Sequence, residues 1–177
     1  MTPSLTLLEY AIVSIDPGVS WDACKADFEA DGSLRDIYVV GTTLEDWRAV
    51  LSLVTAPPYS ATLDGKDASG ISVDAPALLA HPAAHLLSFR VGRVDLCCHF
   101  FSEDEVEFDF VPNGLTEDDL SGLLTFMSSV ARLTGKLVVM TPENVPTHPI
   151  FRFDPQRGII EYLPPAYGGL LTSNRRV

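Results

Sequence analysis

In the segment Glu105–Val111, acidic and apolar side chains alternate strictly as far as Phe110, and this pattern limits the fold more than any other part of the chain. Successive side chains of a β-strand point to opposite faces of the sheet. The segment is therefore predicted to be a strand with one buried face and one wet, negatively charged face, as antiparallel sheets commonly have. Its buried positions are Val106, Phe108 and Phe110, and its wet positions include Glu107 and Asp109.

Other segments rich in β-branched and aromatic residues, bounded by turn residues, predict further strands. The clearer ones are Leu5–Ile15, Leu34–Val40, Leu86–Val91, Val94–Phe101, Leu137–Thr141, Ile150–Phe153 and Gly158–Tyr162; the weaker ones are Tyr59–Leu63 and Ile71–Val73. The dipeptide Gly92-Arg93 separates two of them, which is typical of a two-residue hairpin turn. Most of the predicted strands are thus short and joined by tight turns.

Two amphipathic helices are predicted between the strands. The first begins at Thr42, which forms a capping box with Glu45. The second begins at Thr116 and ends at Gly135, with acids in its first turn near the positive end of the helix dipole. Both carry apolar residues at helical spacing. The segment Pro76–His85 fits a short, interrupted helix.

The predicted order of elements is strands followed by one packed helix, and this order occurs twice. It predicts an α+β fold. We expect a mostly antiparallel sheet with the two amphipathic helices packed on it. The segments Ile37–Val54 and Phe108–Phe126 share a strand, a polar turn and a helix, which suggests two β-α-β-β-like halves. We assign residues 1–164 to a single domain, because 177 residues suffice for one core, and residues 165–177 to a C-terminal tail.

The charge is strongly negative and unevenly distributed. The chain has 24 Asp and Glu against 12 Lys and Arg, a formal net charge of −12, which argues against nucleic acid or an anionic membrane as a partner. Nine of the acids lie between Val94 and Ala131, where there is no Lys or Arg. This stretch is either a solvated face with a helix start, or a docking surface for a basic protein partner. The residues predicted to bind that partner are Glu103, Asp104, Glu105, Glu107, Glu117, Asp118 and Asp119.

Several features predict a cytoplasmic location. Met1–Asp16 has no basic start and carries Glu9 in its apolar run, so we expect no signal peptide. Uncharged runs fall short of the roughly 18 residues that a membrane-spanning helix needs. The chain has three cysteines, two of them adjacent (Cys97 and Cys98), and this arrangement does not suit a disulfide framework.

The residue patterns predict no metal, no cofactor and no catalytic activity. Asp27–Leu34 starts like a calcium loop, but the twelfth position is Tyr38 instead of the chelating Glu. His81 and His85 have the spacing of two ligands on one helical face, without an evident third ligand.

An alternative ligand site follows the predicted strand Leu137–Thr141. Its residues are Glu143, Asn144 and His148. They would make the chain a small-molecule-binding domain or an enzyme with a site near Thr141–His148. The competing interpretation is an ordinary turn in which Asn supplies side-chain hydrogen bonds.

Three stretches, Gly32–Val39, Trp47 in the helix that follows, and Leu137–Asn144, together resemble small α/β immunity proteins encoded beside bacterial polymorphic toxins. The resemblance implies a cytosolic, non-catalytic protein that neutralises a secreted toxin domain by tight binding. It does not specify the toxin or the residues that touch it. A self-assembling structural domain is the third hypothesis, beside the binding protein and the small-molecule site.

Overall fold

The computed structural model describes residues 19–164, and within this range the chain forms one nine-stranded sheet in which every neighbouring pair is antiparallel. The strand order is β3-β2-β4-β5-β6-β1-β7-β8-β9. The strands are β1 Arg35–Val40, β2 Thr62–Leu63, β3 Lys66–Asp67, β4 Leu86–Val91, β5 Val94–Ser102, β6 Glu105–Phe110, β7 Val138–Pro142, β8 Phe151–Asp154 and β9 Ile159–Tyr162. The predicted α+β class with a mostly antiparallel sheet is confirmed.

Helices pack on the sheet, as predicted. They are α1 Trp21–Cys24, continued by a 3-10 turn at Lys25–Phe28, then α2 Leu44–Val54, α3 Ala75–Ala80 and α4 Glu117–Thr134. Phe126 of α4 meets Phe89 and Phe108 with ring centroids 5.4 and 5.3 Å apart. Trp47 of α2 stacks on Phe100 at 5.2 Å. These fully or nearly fully buried aromatic rings form the centre of the core, because each removes a large apolar area from water.

The two long helices begin at capping boxes with the same chemistry. The predicted cap at Thr116 is confirmed; it forms a capping box with Asp119, and Gly135 ends α4 in a left-handed conformation with φ of 68°. The predicted box at the start of α2 is wrong by one residue: the cap is Thr43 with Asp46. Thr42, the residue chosen from the sequence, instead donates its hydroxyl hydrogen bond to the Glu103 carbonyl oxygen.

The structure corrects several predictions for the segments with weaker patterns. Ile71–Val73 is not a strand. Of the predicted strand Tyr59–Leu63, only Thr62–Leu63 forms one, β2, which pairs with β3 and β4. The short helix α3 ends at Ala80, just before Pro82. The predicted strand Leu5–Ile15 and the tail lie outside the described residues. No helix in the described range is both long and apolar enough to cross a membrane.

The topology brings β1 into the middle of the sheet. Strands β6 and β7 both pair antiparallel with β1, one on each side, so the chain crosses over β1 through α4. The hairpins β2–β3 and β8–β9 form the two edges. The proposed internal duplication stays a prediction; the two strand–helix units, β1–α2 and β6–α4, share their Thr-x-x-Asp capping box.

Candidate functional site: an acidic sheet face and its turn

The side chains of β1, β5 and β6 that point away from the helices form an acidic face. The core residues of these strands, such as Ile37, Cys98 and Phe108, alternate with them. Across the strands, Tyr38 is opposite Glu107 and Glu107 is opposite His99; in the next row, Asp36 is opposite Asp109. We define the acidic face as Asp36, Tyr38, His99, Glu105, Glu107 and Asp109.

Part of the acidic face is held by two separate groups of hydrogen bonds. The Asp36 carboxylate accepts hydrogen bonds from the Tyr38 hydroxyl at 2.8 Å and from the Asn144 backbone N–H at 2.7 Å. His99 Nε2 lies 2.6 Å from Asp109 Oδ2, and this hydrogen bond raises the pKa of His99 above its usual value. Burial and the hydrogen bond to Asp36 raise the pKa of the Tyr38 phenol. Asp36 and Tyr38 therefore fix each other's position, and so do His99 and Asp109.

Glu105 and Glu107 have no such partner. Both are half-buried, and neither makes an ion pair within residues 19–164. Burial, followed by the charge of Asp36, raises the pKa of Glu107. Burial, followed by the charge of Asp104, raises the pKa of Glu105. Because a desolvated charge beside like charges is unfavourable, these two side chains reduce the stability of the fold.

The turn between β5 and β6 has a fixed backbone and exposed acidic side chains. The Asp104 carbonyl oxygen accepts hydrogen bonds from the backbone N–H groups of Gly41 at 2.8 Å and Thr42 at 3.0 Å. The Glu103 carbonyl oxygen accepts from the Thr42 hydroxyl at 2.9 Å and from Trp47 Nε1 at 3.0 Å. We call Glu103 and Asp104 the acidic turn. The turn is held at one end of the acidic face by hydrogen bonds from Gly41, Thr42 and the buried Trp47.

The remaining predicted residues lie elsewhere. Asp119 is buried, caps α4 through Thr116 and pairs with Arg93, whose Nη2 is 2.5 Å from Asp119 Oδ2. These contacts lower the pKa of Asp119 and give the carboxylate a structural role. Arg93 precedes the first residue of β5, whereas Glu103 follows its last. Because β5 has nine residues of about 3.3 Å each, Glu117–Asp119 lies at the opposite end of the sheet from the acidic turn.

The alternative ligand residues are also separated. Glu143 Oε2 accepts the backbone N–H of Leu34 at 2.9 Å, and Asn144 donates its backbone N–H to Asp36. His148 contacts Thr147 through its ring nitrogen Nδ1 at 2.9 Å. Surface clefts of about 330, 250 and 270 Å³ are lined by other residues. Glu143 and Asn144 therefore connect the loop after β7 to the start of β1: Glu143 binds Leu34, just before the strand, and Asn144 binds Asp36 within it.

Sequence reasoning missed Asp36, Tyr38 and His99 as neighbours of the acidic residues of β6. One signal was present: Asp36 and Tyr38 alternate with Ile37 and Val39, so their strand also has one polar face. What the sequence did not contain was the strand order, which sets β1 beside β6 although about seventy residues separate them along the chain.

The histidine pair proposed from its spacing does come together. His85 Nε2 is 3.0 Å from His81 Nδ1, and His85 Nδ1 is 2.7 Å from Asp64 Oδ2. Across residues 19–164, no group of three or more His, Cys, Asp or Glu side chains is arranged to hold a metal ion. The three cysteines are unpaired.

No known family, no curated protein and no solved structure matches this chain.

Proposed function

We propose that this chain is a non-catalytic binding protein that neutralises a basic protein domain, as immunity proteins do for the toxins encoded beside them. The binding surface is the acidic turn together with Glu105 and Glu107. The observation that carries the proposal is a group of neighbouring acids without a Lys or Arg partner, two of which, Glu105 and Glu107, are half-buried. Asp95, Asp119 and Glu161 are each tied to an arginine, while the acids of the turn and of β6 next to it have no Lys or Arg partner in the described range.

The physical cost of this arrangement supports a role in binding. A solvated face would place its acids in full contact with water, but Glu105 and Glu107 are half-buried and have raised pKa values. Residues that reduce stability without a compensating contact are typical of functional surfaces. A cationic partner would supply the missing contact and would be steered to it by the negative field.

The rigid backbone of the acidic turn supports the same role. Four hydrogen bonds hold the backbone of the turn in place, so binding need not order this backbone and loses less entropy. The cytoplasmic location rests on the sequence features given above, the bacterial toxin as target rests on the resemblance, and both belong to the proposal.

The test compares two double charge reversals that change the net charge equally at opposite ends of the sheet. One variant is Glu103→Lys with Asp104→Lys; the matched control is Glu117→Lys with Asp118→Lys. The partner is the C-terminal domain of the toxin or effector encoded by the adjacent gene. We expect the first variant to lower the association rate constant about tenfold or more at 50 mM salt, and the control to lower it far less.

Surface plasmon resonance at 50 and 500 mM salt measures both rate constants, and thermal unfolding shows that each variant is folded. Salt screening should shrink the difference between the variants. Equal rates for the two variants would exclude the acidic turn as the docking site. Absence of binding by the wild-type chain would contradict the proposed function itself.

A further inference from the structure

Strand β5 carries an exposed aromatic side chain beside an irregularity in its pairing with β6. His99 pairs with Glu107 and Ser102 pairs with Glu105, so three steps along β5 match two steps along β6. The side chains of β5 keep alternating through this segment, so Phe101 lies on the same face as His99. Phe100 stacks on Trp47 inside the core, whereas Phe101 is 68% exposed.

The exposed ring is held in place. Phe101 stacks on the His99 imidazole with ring centroids 4.9 Å apart and only 9° between the planes. His99 is in turn bonded to Asp109, so the ring rests on a side chain with a fixed orientation. A large aromatic group that is both exposed and preorganised is typical of the residues that dominate binding energies.

The neighbours of Phe101 give the surface its chemistry. Val40, opposite Glu105 on β1, is 53% exposed, and Leu137, the residue before β7, is 42% exposed. Glu105 lies between these apolar groups and Phe101, and the acidic turn follows directly. A surface that combines exposed aromatic and apolar groups with charged groups is common in protein–protein interfaces.

Building on the proposed function, we propose that Phe101, Glu105 and Glu107 form the binding site for an arginine side chain of the basic partner. A guanidinium group stacks on an aromatic ring and also binds carboxylates through two parallel hydrogen bonds. One face of Phe101 is covered by His99, and the exposed remainder of the ring is next to unpaired carboxylates. Lysine, a compact and strongly hydrated charge, gains less from such a planar surface.

The test uses two probes of equal charge, fluorescein-labelled octa-arginine and octa-lysine, with binding measured by fluorescence anisotropy. The variant is Phe101→Ala. The matched control is Val111→Ala, since Val111 is 61% exposed and follows the other end of β6. We expect the wild-type chain to prefer octa-arginine. Phe101→Ala should weaken octa-arginine binding about threefold or more and remove the preference, while Val111→Ala should leave both unchanged.

The adjacent-gene domain then serves as the second probe. Phe101→Ala should weaken its binding by tenfold or more, as expected for a central aromatic anchor. If the domain binds and Phe101→Ala changes neither its affinity nor the preference for octa-arginine, the arginine site is overturned while the proposed function stands. If the wild-type chain does not bind the domain, the proposed function falls, and the peptide preference alone decides whether Phe101 recognises arginine.

Discussion

At the scale of single residues, Glu107 shows that the acidic face keeps an unpaired negative charge although this charge lowers the stability of the fold. It lies between Tyr38 and His99 in one row across the sheet, with Asp36 and Asp109 in the next row. No Lys or Arg pairs with it in the described part of the chain, and its pKa is raised by burial and by Asp36. The ionised form is therefore less stable in the folded chain than in the unfolded one.

Glu107→Gln should stabilise the fold at pH 7 and leave it nearly unchanged at pH 4. The pKa of Glu107 is higher in the folded state, so its unfavourable contribution appears as the pH rises above the unfolded value of 4.5 and is absent below it. We expect a gain of up to about 0.5 kcal/mol in the free energy of unfolding at pH 7.

Urea unfolding at both pH values measures this difference. Asp119→Asn is the contrasting variant, because the contacts of Asp119 lower its pKa and its stabilising contribution is present above the unfolded value of 3.8. That variant should destabilise the fold at pH 7. A loss of stability in Glu107→Gln at neutral pH would show that Glu107 has a stabilising partner.

At the scale of secondary-structure elements, the β5–β6 hairpin depends on the connection between β1 and α2. Thr42 supplies both its N–H and its hydroxyl to the acidic turn, and Trp47 supplies its indole N–H. The capping box at Thr43 starts α2 directly after these contacts. The position of the acidic turn is thus decided by an element distant from it in the chain.

Thr42→Val tests this dependence, with Thr55→Val as the matched control. Both threonines are buried, and each donates its hydroxyl to a backbone carbonyl: Thr42 to Glu103 at 2.9 Å and Thr55 to Leu51 at 2.8 Å. Each variant should lose about 1 kcal/mol of unfolding free energy, the usual net contribution of such a bond.

The two variants should differ at the turn. Only Thr42→Val should speed amide hydrogen exchange in the backbone around Asp104 and weaken binding of the adjacent-gene domain. The same exchange rates in both variants would mean that the remaining contacts of the connection, from Gly41 and Trp47, are sufficient to hold the turn.

At the scale of the whole molecule, the excess of negative charge opposes folding. A net charge of −12 repels itself more strongly in the compact state than in the extended chain. The exposed ion pairs, such as Arg90 with Asp95, contribute little because water and salt screen them. Screening should therefore relieve more repulsion than it removes attraction.

We expect the melting temperature to rise when NaCl increases from 50 to 500 mM, as the Debye length falls well below 10 Å. Combining the four reversals at Glu103, Asp104, Glu117 and Asp118 adds eight units of positive charge to −12, which leaves −4. That variant should show a smaller salt-induced rise in differential scanning calorimetry. An equal rise in both chains would assign the effect to general salt stabilisation of apolar burial rather than to charge repulsion.

Local patterns in the sequence determined most of the elements. Strict alternation predicted β6, the Gly92-Arg93 turn predicted the β4–β5 hairpin, and Thr116 with Gly135 predicted the ends of α4, because each depends on residues a few positions apart. The start of α2 was ambiguous since Thr42 and Thr43 both have an acid three residues on, and only the contact of Thr42 with the acidic turn resolves it.

Tertiary structure decided which charges remain unpaired. In the sequence, nine acids lie in one stretch without Lys or Arg, and the fold divides them. Arg90 pairs with Asp95, Arg93 with Asp119 and His99 with Asp109. The six others have no cationic partner in the described chain: Glu103, Asp104, Glu105 and Glu107 at one end of the sheet, and Glu117 and Asp118 at the other. Ion pairing depends on distances of a few ångströms between residues that strand order brings together from distant parts of the chain. The sequence by itself therefore determined that the protein is acidic and what most of its elements are, while the arrangement of strands and helices decided where its negative charge is available.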